Sequence, residues 1–205
     1  TFFEPRSSKI QTAYEPRKHL ETFMKKWKTI HPNVAKLLTI GNHDAMAIKR
    51  TELASILDCG RNPVIAGSPF NQLISFSHGE ASTKFILVDT SLDADPAQWC
   101  YQGMIGKETL EWIGSELNNT KGATFLAMHH GPHKAFVKDP NSAGQGLTQF
   151  SKRSAQSLAR LIDVKSKLGS PPIFPVLFGH EHGNHTIKIH DNLGPNLPGI
   201  QCPCA

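Results

Sequence analysis

Three short apolar runs, each ending on a polar cluster, constrain this chain most. Val34 to Ile40 leads into Gly41, Asn42, His43 and Asp44; Ala123 to Met128 leads into His129, His130, Gly131 and Pro132; Ile173 to Phe178 leads into Gly179, His180, Glu181 and His182. Short apolar runs bounded by Gly and Pro suit buried strands, and in open α/β sheets ligand sites gather beyond the carboxyl ends of the strands. An α/β fold is therefore expected, with the three clusters brought to one rim. Neutral imidazole and amide oxygen ligate Zn, Fe, Mn or Ni, and a His-x-His pair at a strand end can clip such an ion.

Between these runs the spacing alternates between helix and strand. Pro16 suits the first turn of a helix carrying Leu20, Phe23, Met24, Trp27 and Ile30 on one stripe, stopped by His31, Pro32 and Asn33. Lys18, Lys25, Lys26 and Lys28 fall largely off that stripe and read as a solvated face. Glu52 to Leu57 predicts a second helix, and Leu73 to Phe76 with Lys84 to Val88 predicts a hairpin turning at residues 78–82. Leu110, Ile113 and Leu117 mark a third helix; Leu158, Leu161, Ile162 and Leu168 mark a fourth. Residues 90–101 and 133–151 read as loops, the second long enough to serve as a wall or lid. His185 to His190 predicts a strand, followed by a Pro/Gly-rich tail.

The 205 residues suffice for one sizeable core, so residues 1–205 read as a single domain. A formal net charge of +5 and a pI near 9.1 favour an anionic partner. The basic residues are scattered, which disfavours nucleic acid relative to a small phosphate ester. No apolar run approaches the roughly twenty residues that span a bilayer, and Thr1 to Pro5 lacks the layout of a secretory signal. Cys59, Cys100, Cys202 and Cys204 read as ordinary thiols of a reducing compartment, and a cytoplasmic location is expected. The spacing of Cys202 and Cys204 does not match the usual Cys-x-x-Cys metal or redox motifs.

The three polar clusters carry a family resemblance. Gly-Asn-His-Asp at 41–44, a strand ending in His129, and Gly-His-x-His at 179–182 occur in the order found in calcineurin-like metallophosphoesterases. The chain is similar to the branch with cyclic nucleotide and glycerophosphodiester phosphodiesterases, whose fourth motif usually reads His-His-Pro-Pro; here Gly131 replaces the first Pro. The stretch from Gly103 to Ile113, with Trp112 beside Ile113, matches the same branch. Two earlier motifs of the family, Asp-x-His and Gly-Asp-x-x-Asp, have no counterpart, because no Asp precedes Asp44. The resemblance thus implies a β-sandwich flanked by helices that begins downstream of the second motif and lacks its N-terminal strands.

It also implies a chemistry. Asn42, His129 and His180 would bind one ion and His182 a second, beside ligands from the two motifs not found here. The ions would be divalent or mixed-valence first-row metals such as Mn, Fe or Zn, roughly 3.5–4 Å apart, supplying a hydroxide that attacks a small phosphodiester. Asn42 would ligate without adding negative charge. His43 would assist the leaving group and Asp44 would orient it. His130 reads equally as a donor near the ligands, a substrate contact or packing; Lys134 and Lys138 lie where a phosphate could be met. His19, His31, His78 and His190 read as ordinary histidines, and His133 and His185 lean the same way. Turnover by residues 1–205 alone is expected to be weak, since two carboxylates of the implied site are not in the chain. The competing expectation is a non-catalytic interaction module on the same fold with an incomplete metal site.

Overall fold

A computed structural model describes residues 14–34, 36–59, 68–79, 81–91, 103–119, 122–131, 151–168, 176–179, 186–188 and 198–201. Strands β1 (Gln72–His78) and β2 (Ala81–Val88) form the predicted hairpin, antiparallel, with Gln72 opposite Leu87 and His78 opposite Ala81. Its turn contains Gly79 at φ 61°, a left-handed conformation that glycine adopts without a Cβ penalty. Helix α4 (Lys107–Asn118) then leads to β3 (Ala123–Met128), which lies parallel to β2 with Val88 opposite Met128. Helix α5 (Lys152–Lys167) leads to β4 (Val176–Phe178), parallel to β3 with Met128 opposite Phe178. β6 (Pro198–Gln201) runs parallel to β4, and β5 (Thr186–Lys188) pairs antiparallel with β6. The sheet order is β1-β2-β3-β4-β6-β5, so four central parallel strands present their carboxyl ends at one rim.

Period-two burial fixes which face of the sheet is covered. β3 alternates half-buried and buried residues, and its register aligns Ile86 with Leu126, Val88 with Met128, and Met128 with Phe178. These side chains, with Val176, meet Ile113 and Leu117 of α4 and Leu158 and Ile162 of α5 in one core. Each such fully buried side chain contributes about 1.5–3 kcal/mol. Gly114 lets the two helices approach, since a Cβ there would stand 3.1 Å from Leu161. On the opposite face Phe85 stacks on Phe125 at 4.9 Å and meets Phe76 edge-on at 5.9 Å.

The N-terminal helices α1 (Tyr14–Ile30), α2 (Asn42–Ala47) and α3 (Arg50–Ile56) form a second cluster. Met24, Ala45 and Leu53 pack there with Ile40, Ile48, Leu57 and Phe70. The cluster is pinned where β2 ends. Arg50 of α3 pairs with the fully buried Asp89 side chain, donates to Ser91 O at 3.2 Å and lies over the Phe70 ring at 5.0 Å. Asn71 Oδ1 accepts from the Asp89 backbone N–H at 2.9 Å, closing the junction.

Several expectations need correction. The run from Val34 to Ile40 forms no strand among its described residues; Val34 and Leu37 are exposed and Ile40 is buried. A strand needs a neighbour for its backbone groups, and among the described residues none of the six strands pairs with this run. Asn42 therefore follows an irregular segment and opens a helix instead of capping a strand. In α1, Met24 is buried and Leu20 and Trp27 are half-buried, but Phe23 and Ile30 are 45% and 66% exposed, so the covered stripe is narrower than its spacing suggests. α1 also begins two residues before Pro16, which remains within the first turn where a missing N–H is harmless. The tail contains β6, with Pro198 at the first strand position, where proline is tolerated. No described helix is long and apolar enough to cross a membrane.

Candidate functional site

The first cluster is built as a helix start. Gly41 is extended (φ −93°, ψ 167°) and its carbonyl accepts from Ala45 N–H at 3.1 Å, opening α2. Asp44 reaches back so that its Oδ2 accepts the Gly41 backbone N–H at 3.0 Å, half of a capping box. The turn so formed buries Asn42 completely, leaves His43 half-buried and exposes Asp44. Three consecutive polar residues are thereby given three different surroundings.

The second cluster arrives on β3. Immediately past Met128, His129 Nε2 lies 3.0 Å from Asn42 Oδ1, joining residues 87 apart in sequence. The approach depends on Gly41: a Cβ there would stand 2.8 Å from His129 Cε1 and 3.1 Å from both ring nitrogens. β3 and β4 stay in register past their ends, Gly179 N–H donating to His129 O at 3.0 Å. A parallel-sheet rim thus supplies the platform and an N-terminal helix supplies the amide.

The chemistry of this pair suits a cation. When Nε2 carries the ring proton the two side chains satisfy each other by one N–H···O bond; when Nδ1 carries it, two acceptors converge. The observed 3.0 Å is the separation of an N–H···O hydrogen bond, and both atoms are donors of a kind that first-row metals take. Asn42 Nδ2 is buried without a hydrogen-bond partner, so the amide is held by its oxygen side alone. The residues present therefore fit a first-row metal. Among the described residues no three His, Cys, Asp or Glu side chains converge as a metal group; the predicted ligands that meet there are His129 and Asn42.

His130 is buried and held against Thr90. It is 1% exposed, its backbone N–H donates to Thr90 Oγ1 at 3.2 Å, and its Nδ1 lies 2.9 Å from the same oxygen. Its ring packs edge-on to His129, with centroids 4.8 Å apart and planes at 87°. Gly103 packs closely against it: a Cβ there would come within 2.4 Å of His130 Cβ and 2.8 Å of its Nδ1.

Of the sequence-predicted site residues, Asn42 and His129 are brought together, and His43 and Asp44 stand on the same helical turn as Asn42. Among described residues, the hydrogen bond of the Asp44 carboxylate goes to the Gly41 backbone. His180 and His182 lie outside the described residues, as do His133, Lys134, Lys138, His185 and His190. Thr90 is the contributor that sequence reasoning missed, while Gly41 and Gly103 were part of the motifs without a spacing role assigned to them. A signal for Thr90 was available: residues 85–88 form an apolar run ending on Asp89, Thr90 and Ser91, the same pattern that marked the other clusters. No protein-family model matches the chain, and no curated protein is significantly similar to it.

Proposed function

We propose that this chain is a metal-dependent phosphoesterase acting on a small phosphodiester. The observation that carries the reading is the meeting of Asn42 Oδ1 and His129 Nε2 at 3.0 Å beyond the carboxyl end of β3. The ordered motifs Gly-Asn-His-Asp, His-His-Gly-Pro and Gly-His-x-His, and the resemblance to calcineurin-like metallophosphoesterases that they create, support it. The finer architecture of that family, a sandwich of two sheets, belongs to the same proposal.

In this reading Asn42, His129 and His180 hold one first-row ion and His182 contributes to a second. Bound metal would neutralise phosphoryl charge and lower the pKa of water toward neutrality. Asn42 adds no negative charge beside an anionic substrate. His43, half-buried on the first turn of α2, donates a proton to the departing ester oxygen. Asp44 acts at one remove: its bond to the Gly41 N–H fixes the turn that carries Asn42 and His43.

The test is equilibrium dialysis against Mn²⁺ or Zn²⁺, followed by hydrolysis of a chromogenic phosphodiester. The unaltered chain should hold metal, Asn42→Ala and His129→Ala should lose it, and His43→Ala should retain metal while losing turnover. Equal hydrolysis by all four proteins would sink the proposal. No bound ion at millimolar metal would favour the alternative, a non-catalytic interaction module.

A further inference from the structure

We infer that Thr90 is a positioning residue: it fixes the His130 ring and, through it, the orientation of His129. The inference rests on the metal reading of Asn42 and His129, and the measurements below separate the two.

Register brings the pair together. Val88 lies opposite Met128 in the parallel β2–β3 ladder, so two residues further on Thr90 stands beside His130. Both are buried, at 0% and 1% exposure. A threonine hydroxyl has one hydrogen and two lone pairs. One lone pair of Thr90 Oγ1 receives the His130 backbone N–H at 3.2 Å. Among the described residues, the acceptor left for the hydroxyl hydrogen is His130 Nδ1 at 2.9 Å. Donation in that direction makes Nδ1 the acceptor and places the ring proton on Nε2.

The threonine is itself held. Its carbonyl accepts from Met104 N–H at 2.9 Å, and the neighbouring Gly103 carbonyl accepts from Ser151 N–H at 2.7 Å. His130 thus meets a fixed hydroxyl and packs against a glycine with no room for a Cβ, and its perpendicular packing against His129 restricts the rotamers open to that ring. Partners that orient a metal-binding imidazole without touching the ion typically set tenfold to hundredfold of affinity. Thr90 acts one residue further back, so an effect near the lower end is expected. Neither the helical periodicities nor the polar motifs of the sequence assign it this role.

Thr90→Val keeps the shape and removes the hydroxyl, leaving two buried His130 groups without it; Thr90→Ser restores the hydroxyl. Imidazole ¹⁵N spectra of the metal-free chain should show His130 protonated on Nε2. That state should be lost or mixed in Thr90→Val and regained in Thr90→Ser. Calorimetric titration with Mn²⁺ should give affinity about tenfold weaker for Thr90→Val, with recovery in Thr90→Ser. A wild-type spectrum with the proton on Nδ1 of His130 overturns the inference without any variant. So does a folded Thr90→Val protein with unchanged ring spectrum and affinity, or a Thr90→Ser protein as impaired as the valine variant. Failure of the unaltered chain to bind Mn²⁺ would remove the metal function and with it the link to His129, while the ring spectra still decide whether Thr90 fixes His130.

Discussion

Replacing Gly41 by alanine separates the packing of the site from the stability of the fold. The new Cβ would stand 2.8 Å from His129 Cε1, whereas carbon atoms rest no closer than roughly 3.5 Å. The ring must therefore retreat by roughly 0.7 Å, several times the ~0.2 Å tolerance of a metal–ligand distance. The backbone imposes no further penalty, because φ −93° and ψ 167° are open to alanine. Overpacking costs about 1–3 kcal/mol, and the stiffer unfolded chain returns about 0.4–1 kcal/mol. Net destabilisation should thus stay below about 3 kcal/mol, including the few tenths from the poorer helix cap. Mn²⁺ affinity, by contrast, should fall at least about tenfold. Calorimetric titration beside urea unfolding measures both quantities. Gly106→Ala is the control: that glycine also caps a helix (α4) in an extended conformation, φ −71° and ψ 163°, and is exposed. Its variant should keep wild-type metal affinity. A Gly41→Ala protein binding Mn²⁺ as tightly as the unaltered chain would refute the claim that Gly41 exists to admit the His129 ring.

The junction between the N-terminal helices and the sheet gives a second expectation. Asp89→Ala removes a fully buried carboxylate that accepts from Arg50 and, at 2.9 Å, from Ser91 N–H, so urea unfolding should register a loss of about 3–5 kcal/mol. A loss below about 1 kcal/mol would mean the pair contributes nothing to the junction. Asp44→Ala should cost about 0.5–2 kcal/mol through the lost Gly41 cap while leaving metal stoichiometry unchanged; a change in ions per chain by dialysis would count against its capping role. Burial pushes the Cys59 thiol above its ordinary range, outweighing the opposing contact with Gln72 and the charge of Lys36. Alkylation of Cys59 by iodoacetamide, followed on its peptide, should be slow at pH 8 and accelerate only above the usual thiol range. Between the unfolded and the raised folded pKa the native state retains a proton that the unfolded chain has lost, so stability falls with rising pH in that window. An ordinary alkylation profile would contradict this.

What could be read from residues alone followed how locally each feature is determined. β3 was legible to the residue because a six-residue run, apolar except for Thr124, is bounded by Gly122 and His129 and the strand sits mid-sheet, where pattern and burial agree. The hairpin was legible for the same reason, though its strands extend further toward the turn than the apolar runs, since backbone pairing does not require apolar side chains. Val34 to Ile40 misled because apolar content is necessary for a buried strand and not sufficient; a pairing neighbour is a property of the whole topology. β6 was missed for the converse reason. Its Pro198 and Gly199 carry little strand propensity, and parallel pairing with β4 overrides that local preference.

The site divides along the same line. That Asn42 and His129 matter could be proposed from motif order, but their contact depends on an amide from a helix start meeting an imidazole from a strand end across 87 residues. The glycines make such a meeting possible and explain features that residue identity alone left blank: Gly41 clears the ring of His129, and Gly103 clears the ring of His130. Thr90 follows the same logic with a polar atom in place of empty space. Parallel register delivers its hydroxyl to the one ring nitrogen that must be controlled if the neighbouring imidazole is to keep its aim. On the proposed reading, an adjacent strand of the sheet rim thus helps to orient the histidine pair through a neutral hydroxyl.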